Sequence, residues 1–169
     1  MKSHPGGEEN TRRMLELSAL APGASVLDMG AGAGEAVALM RSLGYAARGI
    51  DIAPRSELVE RGDMHAAAFP DGCFDAILSQ CAFYISGDVD KALSESRRLL
   101  KPGGKLLLAD VFFAEPQELL HRAGFRVLHA VDMTVEWREY YLEALWRDDE
   151  CCPSPGGKCS YWLLICGKE

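Results

Sequence analysis

Long apolar runs are missing from this sequence. The first ten residues, MKSHPGGEEN, have no apolar segment of the kind that forms the core of a secretory signal. No apolar stretch approaches the ~20 residues that a membrane-spanning helix requires. We therefore expect a cytoplasmic protein with no membrane partner.

Clustered positive charge is also missing. The chain has 18 Lys and Arg residues against 25 Asp and Glu residues, which gives a net charge of −7. Basic residues are dispersed apart from short pairs such as Arg12 and Arg13. Nucleic acids and anionic membranes both favour basic surfaces, so the charge balance argues against a nucleic acid as partner.

Cysteine is too sparse for a disulfide scaffold, with six residues in 169, and a cytoplasmic setting keeps thiols reduced. Cys151, Cys152 and Cys159 nevertheless share one loop near the end of the chain. Thiolates bind soft metal ions and metalloids, but this spacing lacks the paired C-x2-C ligands of zinc sites. We predict no metal site and leave the role of these three cysteines open.

Strand and helix patterns alternate from residue 25 to about residue 134. Alternation of this kind predicts βαβ units, right-handed crossovers and a mostly parallel sheet in an α/β fold. No repeat or linker divides the chain, so we expect a single domain over residues 1–169. The predicted strands are SVLDMG, AARGID, FDAILSQC, KLLLADVFF, RVLHAVDMT and YWLLICGK. Helices are predicted from Thr11, in EAVALMRSL, in PRSELVE, after a cap at Asp88, in PQELLHRAGF and in EWREYYLEALWRDD.

A glycine-rich turn follows the first predicted strand in VLDMGAGAGE, with Gly30, Gly32 and Gly34 at alternate positions. Turns of this kind allow a ligand to approach the backbone closely, although glycines also serve plain tight turns. A dinucleotide site has the spacing G-x-G-x-x-G and would require a glycine where Glu35 stands.

Two carboxylates indicate what the turn binds. A pyrophosphate about 4 Å from Asp28 would be repelled by on the order of 4 kcal/mol per charge pair at an effective dielectric constant of ~20, whereas a cation would be attracted. Asp51 closes the second strand, where an acid can accept both ribose hydroxyls. The combination favours S-adenosylmethionine, which carries adenosine, a sulfonium and an ammonium, and it disfavours an NAD-dependent oxidoreductase.

Four successive segments resemble the ordered motifs of class I S-adenosylmethionine-dependent methyltransferases, in particular the small-molecule branch that includes quinone-biosynthesis enzymes. They are VLDMGAGAGE, GIDIAP, RGDMHAAAFPDGCFDAILSQ and ESRRLLKPGGKLLLAD. The resemblance covers residues 24 to 112. It implies a Rossmann-like three-layer sandwich whose seven-stranded sheet is mostly parallel, with YWLLICGK as the antiparallel last strand.

The resemblance also assigns residues to the cofactor. Asp51 would accept from the ribose hydroxyls, Ile52 would pack on the adenine, and Asp63 would accept from the adenine amino group. Ile52 as a core residue and Asp63 as a helix cap are the alternatives. The complete assigned set is Asp28, Gly30, Ala31, Gly32, Asp51, Ile52, Gly62, Asp63, Met64, Ser79, Gln80 and Cys81.

Methyl transfer from a sulfonium is an in-line displacement with a good leaving group, so the protein mainly aligns the reactants and excludes water. No catalytic triad is expected, and no catalytic residue is assigned. A general base is needed only for a protonated acceptor. His65, His121 and His129 favour structural or surface roles, whereas His4 belongs either to a lid or to a disordered tail.

We predict a small-molecule methyl acceptor of unidentified structure. The segment QCAFYISGD lacks the Asn/Asp-Pro-Pro-Tyr signature of enzymes that methylate exocyclic amines of DNA bases and glutamine side chains. Candidate acceptor contacts are His4, Phe83, Tyr84, Trp137 and Tyr141. Core packing is the alternative role of the aromatic residues among them.

The resemblance divides the domain into a lead and helix (1–23), a cofactor-binding half (24–112) and a substrate-side half (113–169). The regions that cap the pocket in this family are short here. The pocket would thus be open or completed by a second subunit, which makes a homodimer one arrangement that the sequence allows. Two alternative functions remain: a catalytically silent S-adenosylmethionine-binding regulatory module, and a metalloid methyltransferase assisted by cysteines.

Overall fold

A seven-stranded sheet forms the centre of the computed structural model, which describes residues 5–146 and 158–169. The strand order is β3-β2-β1-β4-β5-β7-β6. The strands are β1 (Ser25–Met29), β2 (Ala46–Asp51), β3 (Glu60–Arg61), β4 (Phe74–Gln80), β5 (Leu100–Phe112), β6 (Phe125–Asp132) and β7 (Ser160–Lys168). Strands β1 to β5 pair in parallel, and β7 runs antiparallel to both β5 and β6. The predicted fold class is confirmed.

Helices cover both faces of the sheet and divide the core in two. They are α1 (Gly7–Ser18), α2 (Glu35–Ser42), α3 (Val89–Leu99), α4 (Pro116–Arg122) and α5 (Thr134–Trp146). One apolar cluster contains residues of α3 and α4, and the other contains residues of α1, α2 and α5. Along β5, Leu106 and Leu108 belong to the first cluster and Leu107 to the second. Such a strand has to be apolar on both faces, which is why KLLLADVFF shows no alternation.

The helix predicted after Asp88 is present as α3. The Asp88 carboxylate accepts a hydrogen bond from the Lys91 backbone N–H at 3.0 Å, as an N-cap residue does. Helix α1 begins at Gly7, which is earlier than the predicted start at Thr11.

The prediction of a helix in PRSELVE was wrong. Only the eight residues 52–59 connect β2 to β3, and they contain no helix. A helical crossover between parallel strands needs a dozen or more residues. The segment instead packs on the glycine turn, where the Arg55 N–H donates to the Gly32 carbonyl at 3.0 Å and the Ser56 hydroxyl to the Ala33 carbonyl at 2.7 Å.

A partly buried ion pair on α3 holds the loop between β3 and β4. Arg98 donates to the carbonyls of Ala67 at 3.0 Å and Phe69 at 2.9 Å, and it pairs with Glu95 at 2.7 Å. Glu95 also accepts from the Ala67 N–H at 2.8 Å. Arg98 therefore satisfies backbone groups that a loop could not satisfy by itself, and it lowers the pKa of Glu95.

We predict that Arg98→Ala lowers the free energy of unfolding by about 2–3 kcal/mol, because several hydrogen bonds to charged groups are lost and Glu95 is left half-paired. Urea unfolding followed by circular dichroism measures this. Arg98→Lys should recover only part of the loss, since an ammonium cannot serve two carbonyls and a carboxylate in the same geometry. Arg126→Ala, an exposed change on β6, is the control, and an equal loss there would contradict the prediction.

Candidate functional site

A cleft of about 460 Å³ lies at the carboxyl ends of β1, β2 and β4. Open α/β sheets place their ligands at this edge. All of the predicted cofactor residues except Ser79 line the cleft. Further lining residues that the sequence did not single out for the cofactor are Ala33, Glu35, Ala36, Ile50, Ala53, Arg55, His65, Ala82, Ile85 and Ser86.

The glycine turn forms part of the cleft wall. The N–H groups of Gly30 and Ala31 both donate to the carbonyl of Ile50, at 2.9 and 3.0 Å. Gly30 has a φ of +84°, and a Cβ added there would lie 2.3 Å from the Cβ of Ala82. A side chain at this position would therefore fill the space between the turn and the segment that follows β4.

Asp28 is a buried carboxylate at the edge of the cleft, with only 4% of its surface exposed. Within residues 5–146 and 158–169, no group donates a hydrogen bond to it. Burial, and secondarily repulsion from Asp51, raises the pKa of Asp28 from 3.8 to about 7. A buried carboxylate that has no partner is costly, and a cation bound in the cleft would offset this cost.

Asp51 is fixed at the end of β2 by two backbone groups. Its Oδ2 accepts from the Gly32 N–H at 2.9 Å, and its Oδ1 accepts from the Ala53 N–H at 2.8 Å. Each carboxylate oxygen can accept a further hydrogen bond. The carboxylate is thus oriented at the cleft and can still accept from hydroxyl groups of a ligand.

The turn after β3 carries Asp63 and His65 into the cleft. Asp63 accepts from the His65 backbone N–H at 2.8 Å, and its carboxylate lies 3.5 Å from the imidazole Nδ1. On the other side, His65 Nε2 lies 3.1 Å from the Ser86 hydroxyl. Asp63 therefore caps a turn and not a helix. Ile52 is 69% exposed at the cleft, which excludes the alternative of a core residue.

Gln80 and Cys81 line the opposite end of the cleft, after β4. Gln80 Oε1 accepts from the Thr11 hydroxyl of α1 at 3.0 Å, and Cys81 Sγ lies 3.2 Å from the hydroxyl of Tyr161. Ser79 lies beneath them, fully buried, and its hydroxyl donates to the Met29 carbonyl at 2.9 Å. The Ser79 hydroxyl therefore links β4 to β1, and Ser79 does not line the cleft.

Of the candidate acceptor contacts, four do not line the cleft: Phe83, Tyr84, Trp137 and Tyr141. Phe83 is 1% exposed within the core, and Trp137 stacks on Tyr161 with ring centroids 6.2 Å apart. Tyr141 lies against Trp137, and Tyr84 lies against Phe113 with centroids 5.7 Å apart. His4 lies outside the described residues.

Asp110 is a residue that positions part of the cleft wall and that sequence reasoning missed. It is 2% exposed at the end of β5 and accepts from the N–H groups of Phe83 at 2.9 Å, Tyr84 at 3.2 Å and Val111 at 2.8 Å. Burial raises its pKa to about 6 in spite of these bonds. Asp110 positions the segment after β4, which includes the lining residues Ala82 and Ile85. Its only signal in the sequence was an acid at the end of an apolar strand.

Metal ligands do not cluster in the part of the chain that the structure describes: no group of three His, Cys, Asp or Glu residues could hold an ion there. Cys81 and Cys159 are partly buried, and Cys166 is fully buried with a pKa raised to about 12. Cys151 and Cys152 lie outside the described residues.

The raised pKa of Asp28 predicts a pH-dependent effect of Asp28→Asn. In the folded chain the pKa of Asp28 is about 7, whereas in the unfolded chain it is 3.8. The ionisation of Asp28 therefore destabilises the folded wild-type protein increasingly as the pH rises from about 4 to about 7, and by a constant amount at higher pH. The variant should therefore gain about 2–3 kcal/mol more in free energy of unfolding at about pH 8 than at about pH 5.

Urea unfolding at the two pH values measures the difference. Asp90→Asn, an exposed change on α3, should show no such dependence. A gain from Asp28→Asn that is the same at both pH values would contradict the burial of an ionised carboxylate.

Known methyltransferases are similar to this chain in sequence. Residues 27–108 match the family model of a methyltransferase domain. The chain is 34% identical over 123 residues to an arsenite methyltransferase of Aquipseudomonas alcaligenes, covering 58% of this chain and 36% of that protein. It is 32% identical over 115 residues to a demethylmenaquinone methyltransferase of Thermus thermophilus, covering 59% and 52%. The chain thus spans about half, or less, of the curated relatives that it matches.

Solved structures share the fold. A putative sarcosine dimethylglycine methyltransferase from Galdieria sulphuraria superposes with a TM-score of 0.73 at 21% identity, over 95% of this chain and 84% of that one. Geranyl diphosphate C-methyltransferase from Streptomyces coelicolor superposes with a TM-score of 0.71 at 15% identity, over 95% and 78%. Among the described residues, no helix is both long and apolar enough to cross a bilayer.

Proposed function

We propose that the protein is a class I methyltransferase that transfers a methyl group from S-adenosylmethionine to a small-molecule acceptor, on the premise that residues 27–108 match the family model of a methyltransferase domain. The resemblance found in the sequence is confirmed by the family model and by the demethylmenaquinone methyltransferases among the relatives. The cofactor is S-adenosylmethionine; the solved structures of this fold include geranyl diphosphate C-methyltransferase in complex with S-adenosylhomocysteine.

The carboxylate of Asp28, to which no described residue donates a hydrogen bond, is the observation that carries the proposal. It is buried at the cleft, next to the glycine turn, and burial has already raised its pKa to about 7. The cofactor has a sulfonium and an ammonium to offer, so the residues present fit it. A dinucleotide fits poorly, because its pyrophosphate would meet Asp28 and Asp51 in a cleft that Glu35 also lines.

The other lining residues support a consistent set of roles. Asp51 would accept from the ribose hydroxyls, Ile52 would cover one face of the adenine, and Asp63 would accept from its amino group. Gln80 and Cys81 would border the end at which the methyl group leaves. When bound, the cofactor supplies a methyl group activated by the sulfonium. The chain aligns the acceptor with it and excludes water.

The acceptor is proposed to be a small molecule that binds near the segment after β4. Ile85 is 55% exposed where it lines the cleft, on the segment after β4. This apolar border favours an acceptor with an apolar body.

Turnover separates this proposal from a catalytically silent binding module. A panel of phenol, quinol, amine and thiol acceptors, with arsenite included, is assayed for S-adenosylhomocysteine formation by mass spectrometry.

Calorimetry with S-adenosylhomocysteine and with NAD tests the cofactor site. We predict that the wild-type protein binds the first and not the second, and that Asp51→Ala weakens binding by about 1.5–3 kcal/mol, the scale of hydrogen bonds to a charged group. Asp90→Ala, on the exposed face of α3, should bind like the wild type. Micromolar binding of NAD without binding of S-adenosylhomocysteine would overturn the proposal.

A further inference from the structure

Arg55 lies on the glycine turn because the connection between β2 and β3 is short. Its backbone N–H donates to the Gly32 carbonyl at 3.0 Å. Its guanidinium lies beside the same glycine: a Cβ added to Gly32 would be 2.6 Å from Arg55 Nη2. The guanidinium thus occupies the place that a side chain at residue 32 would take, and it lines the cleft.

The Arg55 guanidinium differs from those of neighbouring arginines in its contacts with the described residues. Arg41 donates to the Ala47 carbonyl, Arg48 pairs with Glu60, and Arg61 donates to the Ile52 carbonyl. The Arg55 guanidinium makes no hydrogen bond or ion pair with any residue in the described ranges. An arginine in a ligand cleft whose five guanidinium N–H groups donate to no described residue is suited to bind a carboxylate in bidentate fashion.

The charges that line the cleft indicate which chemical group of a ligand Arg55 would bind. Arg55 is the only Arg or Lys among the described residues that line it, and the lining acids are Asp28, Glu35, Asp51 and Asp63. A ribose phosphate is disfavoured, because Asp51 accepts from the N–H of the same Gly32 that Arg55 contacts. The cofactor itself has one anionic group, the carboxylate at its amino-acid end.

We propose that Arg55 binds the α-carboxylate of the cofactor, while Asp28 holds the cationic groups; this inference rests on the proposed function. Two opposite charges on either side of the glycine turn, from β1 and from the connection between β2 and β3, would then recognise the zwitterionic amino-acid end. The site selects the intact cofactor over nucleosides without a carboxylate, such as 5′-methylthioadenosine. Arg55 would be a specificity residue contributed by a segment that is shorter than a helical crossover.

The test compares two ligands in calorimetry with the full chain. Arg55→Met should weaken the binding of S-adenosylhomocysteine about 10- to 100-fold, the range expected for hydrogen bonds between charged groups. Binding of 5′-methylthioadenosine should not change, because that ligand has no carboxylate. Arg55→Lys should keep part of the discrimination, since an ammonium retains the charge but not the bidentate geometry.

Arg13→Met is the matched control. Arg13 is exposed on α1, the helix whose Thr11 contacts Gln80 at the other end of the cleft. Loss of S-adenosylhomocysteine binding in Arg13→Met, with Arg55→Met unaffected, would assign the carboxylate to α1 and overturn the proposal. Equal loss of both ligands in Arg55→Met would overturn it too, as would binding of NADP that depends on Arg55. If the wild type binds neither nucleoside, the proposed function itself fails.

Discussion

One carbonyl oxygen, that of Ile50, accepts the N–H groups of both Gly30 and Ala31, and the cleft depends on this shared bond. It joins the turn after β1 to the end of β2, and Asp28 and Asp51 at these strand ends both line the cleft. The left-handed φ of Gly30 makes the geometry accessible, and the missing Cβ leaves room for Ala82. The turn after β1 and the end of β2 are thereby joined through backbone atoms, which leaves the Asp28 carboxylate available for a ligand.

Much of this could be predicted because its signals are local. Apolar runs of the right length predicted the strands, and the order of strand, glycine turn and acid predicted where Asp28 and Asp51 would lie. Asp51 shows why: an acid at the end of a strand that neighbours β1 lies at the cleft in any parallel arrangement. The antiparallel β7 was expected only from the resemblance, since YWLLICGK has no feature that sets its direction.

The failures have a different origin: each concerns a local signal that tertiary geometry overrides. Pro54 suits the first turn of a helix, but eight residues are too few to leave β2, form a helix and return in parallel. Phe83 follows β4 and was expected to border the acceptor. Asp110, on another strand, binds its N–H at 2.9 Å and turns the chain so that the ring enters the core. Neither constraint is visible without knowing which strands are neighbours.

Asp28 and Asp110 are aspartates in similar positions, and they differ in the hydrogen bonds that the described residues donate to them. Both are buried at strand ends, and burial raises the pKa of each, to about 7 and about 6. Asp110 accepts three backbone N–H groups, which favour its charged form and oppose the effect of burial. For Asp28, no such bond is present in the described structure, and Asp51 adds repulsion. Asp110 has its partners supplied by the chain and orders a loop. Asp28 keeps the electrostatic cost of its burial until a cation enters the cleft, and this difference supports the proposal that Asp28 belongs to the binding site.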